Sequence, residues 1–143
     1  MGGLNRRIGV EMRIYDHIDL RVRDRARAQK FFAKLLPALG FTRDQSGDEW
    51  GAFDTGTKGK PTEFFGFTED SNHRPNETRV AFWAETQEAI DQVAKIVREA
   101  GGKNLEGPQL WPEYSPGYYA LFFEDPDGNK FEICCRDSAI VAD

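Results

Sequence analysis

The sequence predicts an α+β fold: two paired βαβββ modules that form a curved sheet around a central cleft, with the helices outside. Three observations point there. Helix caps at Asp24 and Thr86, helix stops at Gly40 and Gly102, and strand openings at His17 and Arg79 each lie 62 residues apart. Both halves run in one order, a strand, a helix and then three strands. The period is too long and too seldom repeated for a solenoid. Each module therefore covers one sheet face with its own helix and pairs the open face with its twin. The two modules should superpose by a pseudo-two-fold, His17 over Arg79, with the helices on outer faces and not packed on each other.

The elements justify themselves in order. Residues 1–11 (MGGLNRRIGVE) lack the apolar run of a signal peptide and read as a tail or expression remnant. One domain is expected over 12–136, with module 1 at 12–72, module 2 at 77–136 and a tail at 137–143. From Ile14, apolar Ile18, Leu20 and Val22 alternate with His17, Asp19 and Arg21, as in a half-buried strand. Asp24 caps a helix whose Ala28, Phe31, Phe32, Leu35 and Leu36 share one face until Pro37 and Gly40 end it. Strands follow at Phe41–Asp44, Trp50–Asp54 and Thr62–Thr68. A strand at Arg79–Ala84 opens the second half, and Thr86 caps a helix with Ala89, Ile90, Val93, Ala94 and Val97 on its apolar stripe. Three strands close it, at Asn104–Trp111, Tyr118–Glu124 and Lys130–Cys135. Asp125-Pro126-Asp127-Gly128-Asn129 joins the last two as a hairpin loop, with Gly128 at a positive-φ position.

Composition removes several function classes. The 143 residues are 39% hydrophobic and 30% charged, enough for one domain with its own core and too polar for a membrane protein. With 19 basic against 24 acidic residues and a net charge of −5, a nucleic-acid partner is not expected. No apolar run is long enough to cross a bilayer. Two adjacent cysteines, Cys134 and Cys135, make no disulfide framework, so the expected location is the cytoplasm. No P-loop, dinucleotide fingerprint or Ser-nucleophile elbow occurs. Cys134 has no His near it in sequence and does not read as a nucleophile.

Several pieces of the chain together resemble the vicinal oxygen chelate superfamily, which includes glyoxalase I, bleomycin-resistance proteins and extradiol dioxygenases. They are Asp16-His17-Ile18, Phe31-Phe32, Leu39-Gly40-Phe41, Ala100-Gly101-Gly102, and Glu124-Asp125-Pro126-Asp127-Gly128-Asn129 with Phe131-Glu132-Ile133 behind. The resemblance implies a small-molecule cleft, a homodimer, and a divalent metal (Zn, Ni, Mn or Fe) held from the first and last strands of each module. It carries the metal ligands onto His17, Glu132 and, with a looser alignment, Glu63. The fourth position, usually His or Glu, is Arg79, which has no lone pair for a metal. His73 reads as a surface loop residue, so a dioxygenase is not expected.

Three readings stay open for His17, Arg79, Glu132 and Glu63. Arg79 pairs with Glu132 in place of the metal and leaves a binding protein. Alternatively, Arg79 and His17 bind an anionic or carbonyl-bearing molecule, with Glu132 or Glu63 as a base. Or His17, Glu63 and Glu132 hold a metal in a glyoxalase-like lyase or isomerase. Glu132, Arg79 and His17 are thus the candidate catalytic residues. Trp83, Trp111, Tyr114 and Tyr118 are candidate cleft aromatics for a flat ligand, the last three flanking a loop at Pro112–Gly117. The function expected first is small-molecule binding with a degenerate metal site, and no cofactor is expected.

Overall fold

The computed structural model describes residues 14–137; the expectations for residues 1–11 and 138–143 lie outside the described residues. The first module runs β1 (His17–Val22), α1 (Arg25–Ala38), β2 (Arg43–Asp44), β3 (Trp50–Asp54) and β4 (Phe64–Glu69). The second runs β5 (Arg79–Trp83), α2 (Gln87–Ala100), β6 (Lys103–Leu110), β7 (Tyr119–Glu124) and β8 (Lys130–Cys135). Asp24 caps α1 by accepting the Arg27 N–H at 3.0 Å, and Thr86 caps α2 by accepting that of Ala89 at 3.1 Å. Pro37 lies in the last turn of α1 instead of ending it before that point.

Each module makes one four-stranded sheet with the same topology, β1-β4-β3-β2 and β5-β8-β7-β6. First and last strands pair in parallel, and the rest are antiparallel. The register sets His17 beside Phe64 and Arg79 beside Lys130, so His17 and Arg79 are equivalent, as the offset of 62 requires.

One core serves both modules. Phe31, Phe32, Phe65, Phe67, Phe123 and Phe131 are each under 2% exposed. Phe65 of β4 lies 6.0 Å from Phe82 of β5 and 6.1 Å from Phe131 of β8, which joins the two sheets through their inner faces. Both helices cover that shared layer, α1 with Phe31, Phe32, Leu35 and Leu36 and α2 with Ile90, Val93, Ala94 and Val97. They also pack against each other, which corrects the expectation that they stay apart. A single apolar layer has one outer side, and two helices covering it must be neighbours. Gly51 shows how tight the layer is: a Cβ there would run into the Phe67 ring.

A buried polar latch also holds the modules together. The turn after β7 lies against the β1–α1 junction, where Asp127 accepts the backbone N–H of Arg23 at 2.7 Å and pairs with the Arg27 guanidinium. Asn129 donates to the Arg21 carbonyl at 3.1 Å and accepts from His73 Nε2 at 2.7 Å. His73 is therefore part of the latch and not a free loop residue. Asp125 binds the turn itself, accepting the N–H groups of Asp127 and Asn129 at 2.9 and 2.8 Å; burial pushes its carboxyl up. Gly128, at φ +96°, makes the turn possible.

Candidate functional site

The outer face of each sheet, opposite the helices, is set by strand alternation and can be read in rows. In the first module the rows are His17, Phe64 and Asp54; then Asp19, Gly66 and Ala52; then Arg21, Thr68 and Trp50. In the second they are Arg79, Lys130 and Glu124; then Ala81, Glu132 and Phe122; then Trp83, Cys134 and Ala120. Gly66 therefore stands at the place equivalent to Glu132, and Glu63 falls one residue ahead of β4. The loose alignment of Glu63 fails because the β3–β4 loop and the β7–β8 turn differ in length. Gly66 and Ala52 leave the first module's face hollow, a cavity of about 400 Å³ beside Trp50, Phe64 and His17.

Glu132 is 6% exposed and takes the Tyr118 hydroxyl as its hydrogen-bond donor. Burial first, and that bond second, push the Tyr118 phenol up from its usual value. Burial likewise raises the Cys134 thiol, which argues against a reactive thiolate. Arg79 does not pair with Glu132 or Glu63. Its row neighbour Lys130 binds Glu124 at 3.3 Å, and its guanidinium lies 4.9 Å above the Phe122 ring. Among the described residues it forms no ion pair. Trp111 meets the same Phe122 ring edge-on at 4.8 Å, and Tyr114 meets Tyr118 at 5.1 Å. The loop at Pro112–Gly117 thus folds onto the second sheet.

The remaining candidates gather elsewhere. Between the edge strands β1 and β5 lies a cavity of about 700 Å³, lined by Tyr15, Asp16, His17, Glu63, Phe64, Arg79, Phe82 and Trp83. Trp83 is 71% exposed and carries the Arg136 guanidinium 5.1 Å above its ring. His17 Nδ1 is hydrogen-bonded to Asp16 Oδ1 at 2.7 Å, and its ring stacks on Phe64 at 4.4 Å. The predicted residues therefore split. His17, Glu63, Arg79 and Trp83 share the seam cavity, while Glu132, Trp111, Tyr114 and Tyr118 collect around Phe122, and only Arg79 reaches both. Sequence reasoning missed Phe122 and Asp16. The first is set beside Glu132 only by the β8–β7 register, whereas the second could have been found from its place before His17.

A divalent cation does not fit this donor set. No group of three or more His, Cys, Asp or Glu side chains able to hold one occurs among the described residues. His17 is turned to Asp16, Glu132 to Tyr118, and Arg79 offers no lone pair.

Known proteins resemble this chain in sequence or in fold. The protein YqjT of Bacillus subtilis strain 168, itself uncharacterized, is 28% identical over 127 residues, 82% of this chain and 94% of its own. A glyoxalase/bleomycin resistance protein from Albidiferax ferrireducens T118 superposes with a TM-score of 0.68 at 25% identity, over 86% of this chain and 98% of its own. The fosfomycin resistance protein FosX from Mesorhizobium loti superposes at 0.65 with 16% identity, over 90% and 96%, which speaks to the fold alone. The family model for the Glyoxalase/Bleomycin resistance protein/Dioxygenase superfamily matches residues 14–133. With that match over nearly all the described residues, and the duplicated βαβββ fold beneath it, the chain belongs to the Glyoxalase/Bleomycin resistance protein/Dioxygenase superfamily.

Proposed function

We propose that this protein binds a flat, anionic organic molecule in the seam cavity between its modules, without a metal ion, as a homodimer in the cytoplasm. The observation that carries the reading is Arg79, which lines the seam cavity of about 700 Å³ while its guanidinium lies over the Phe122 ring, without an ion-pair partner among the described residues. A charge so placed is available to a ligand carboxylate or oxyanion. The walls suit a planar body, since Tyr15, Phe64, Phe82 and Trp83 surround the same space, and its volume is in the range of small-molecule sites. Exposed Trp50, Trp83, Leu110 and Tyr114 support a second copy as cover. Two free thiols suit a reducing compartment.

Calorimetry with 2-naphthoate and its neutral analogue 2-naphthamide tests the reading. The carboxylate should bind about tenfold more tightly, the scale of one charged hydrogen bond. Arg79→Met should abolish the preference. Equal affinities, or a preference that survives Arg79→Met, would overturn the anionic ligand. Tight binding of one zinc or manganese ion that is lost in Glu132→Ala would favour the metal-dependent lyase or isomerase instead.

A further inference from the structure

We infer that the chain's own residues 8–12 dock as an added strand on the free edge of β1, where they fill the seam cavity and yield it to the ligand. Only the yielding rests on the binding proposed above; the docking stands apart from it.

The seam is an unfinished piece of sheet. Among the described residues β1 pairs with β4 alone and β5 with β8 alone, and both turn an edge to the cavity between them. Phe64 and Asp70 donate their N–H groups to the carbonyls of Asp16 and Val22 at 3.2 and 2.7 Å, so the even-numbered residues here face β4. Alternation in a parallel ladder then turns the backbone N–H and C=O of His17 and Asp19 the other way. The next carbonyl of that set, from Arg21, takes the Asn129 side chain, which marks where the free edge ends. The core is unfinished at the same place. Phe65, Phe67, Phe131 and Ile133, inward on β4 and β8, are fully buried. Ile18 and Leu20 of β1, and Val80 and Phe82 of β5, are only partly covered. A free edge beside an open apolar floor is a template for one more strand.

The chain carries such a strand to that place. Ile8, Val10 and Met12 alternate with Arg7, Gly9, Glu11 and Arg13, the pattern of a strand with one apolar face. Thirteen residues precede Ile14. Ile14 and Tyr15 line the cavity and are 84% and 77% exposed, and the chain bends at Ile14 and Asp16. A turn of three or five residues there returns the segment antiparallel to β1. Either turn puts Val10 on the inward face, beside Leu20 or Ile18, and points the backbone of odd-numbered residues at His17 and Asp19. A segment tethered at the cavity mouth acts at an effective concentration of roughly millimolar, which a second copy in dilute solution does not reach.

Amide exchange followed by NMR on the full chain is the test, with Val10→Asp as the variant. The His17 and Asp19 amides should exchange about tenfold more slowly in the wild type, as for a strand docked about nine-tenths of the time. The Ile18 and Leu20 amides, bonded to β4, should exchange alike in both chains and show that the variant is folded. Calorimetry should find 2-naphthoate bound about tenfold more tightly by Val10→Asp. Equal exchange at His17 and Asp19 in the two chains overturns the docked strand. Protection that grows with protein concentration assigns the edge to a second copy and overturns docking within one chain. Equal 2-naphthoate affinities beside the expected protection overturn the competition. 2-Naphthoate that binds neither chain overturns the binding proposed above and leaves the docked strand standing.

Discussion

Tyr118 donates its hydroxyl hydrogen to the Glu132 carboxylate, and that bond ties the end of an aromatic loop to the floor of the second sheet. Tyr118 ends the loop that carries Trp111 and Tyr114, and Glu132 sits in the middle of β8 with Ala81 and Phe122 on either side. A buried carboxylate that loses its donor bears the full cost of desolvation. Tyr118→Phe should therefore destabilise the protein by about 1–3 kcal/mol, read from urea unfolding. In a Glu132→Leu background the same change should be close to neutral. Equal losses in both backgrounds would mean that ring packing, and not the hydroxyl, holds the loop.

The latch makes a second prediction. Asp127 is 6% exposed and serves Arg23 and Arg27, which are half-exposed. Asp127→Ala removes the pair and a backbone acceptor together, at a cost of about 2–3 kcal/mol after solvent screening of the arginines. Asp127→Asn keeps an acceptor for the Arg23 N–H and should lose clearly less. Unfolding should stay a single transition, because both modules share one core.

Packing at Gly51 gives a third. An added methyl meets the Phe67 ring, and a filled core has nowhere to move it. Gly51→Ala should cost about 1–3 kcal/mol by thermal or urea unfolding. Phe67→Leu in the same chain should recover part of the loss, since it empties the space the methyl needs. A fully additive pair would show that the strain lies in the backbone.

Acid should weaken the first module through Asp54. The Arg43 guanidinium, bonded to it at 2.9 and 3.0 Å, lowers its carboxyl from 3.8 to about 2. A folded value below the unfolded one gives stability that is complete above the unfolded value and lost as pH falls through the folded one. Stability should thus decline from pH 3.8 toward 2, and Asp54→Asn should flatten that part of the curve. At the alkaline end Tyr119, raised to about 12 chiefly by its bond to Asp91 at 2.6 Å, gives the opposite slope. Stability is complete below the usual tyrosine value of 10.0 and falls as pH rises from there toward 12. Tyr119→Phe should remove that fall, as followed by circular dichroism.

The fold was legible because its signals are local. Asp24, Thr86 and the alternation around His17 and Arg79 act within a few residues, and the duplication repeats each of them. The site was legible only in part, because rows across a sheet join residues far apart in sequence. Arg79 was expected to meet a carboxylate, yet its row neighbour Lys130 takes Glu124 and leaves it a ring. Glu63 was matched to Glu132 across loops of unequal length, and register puts Gly66 there instead. The shared core hid the contact between helices as well, since each stripe reads only as apolar. His73 carried no local sign that Asn129 would reach it.

The bond from Arg23 to Asp127 also dictates an order of events. Its partners stand 104 residues apart, and the turn that supplies Asp127 joins β7 to β8. The entropy of closing so long a loop must be overcome before the contact returns anything. A nascent chain that has emitted β1 and α1 therefore holds an incomplete junction while the whole second module is being made, with Arg23 and Arg27 lacking their carboxylate. The first half of this protein is synthesised early and finished late.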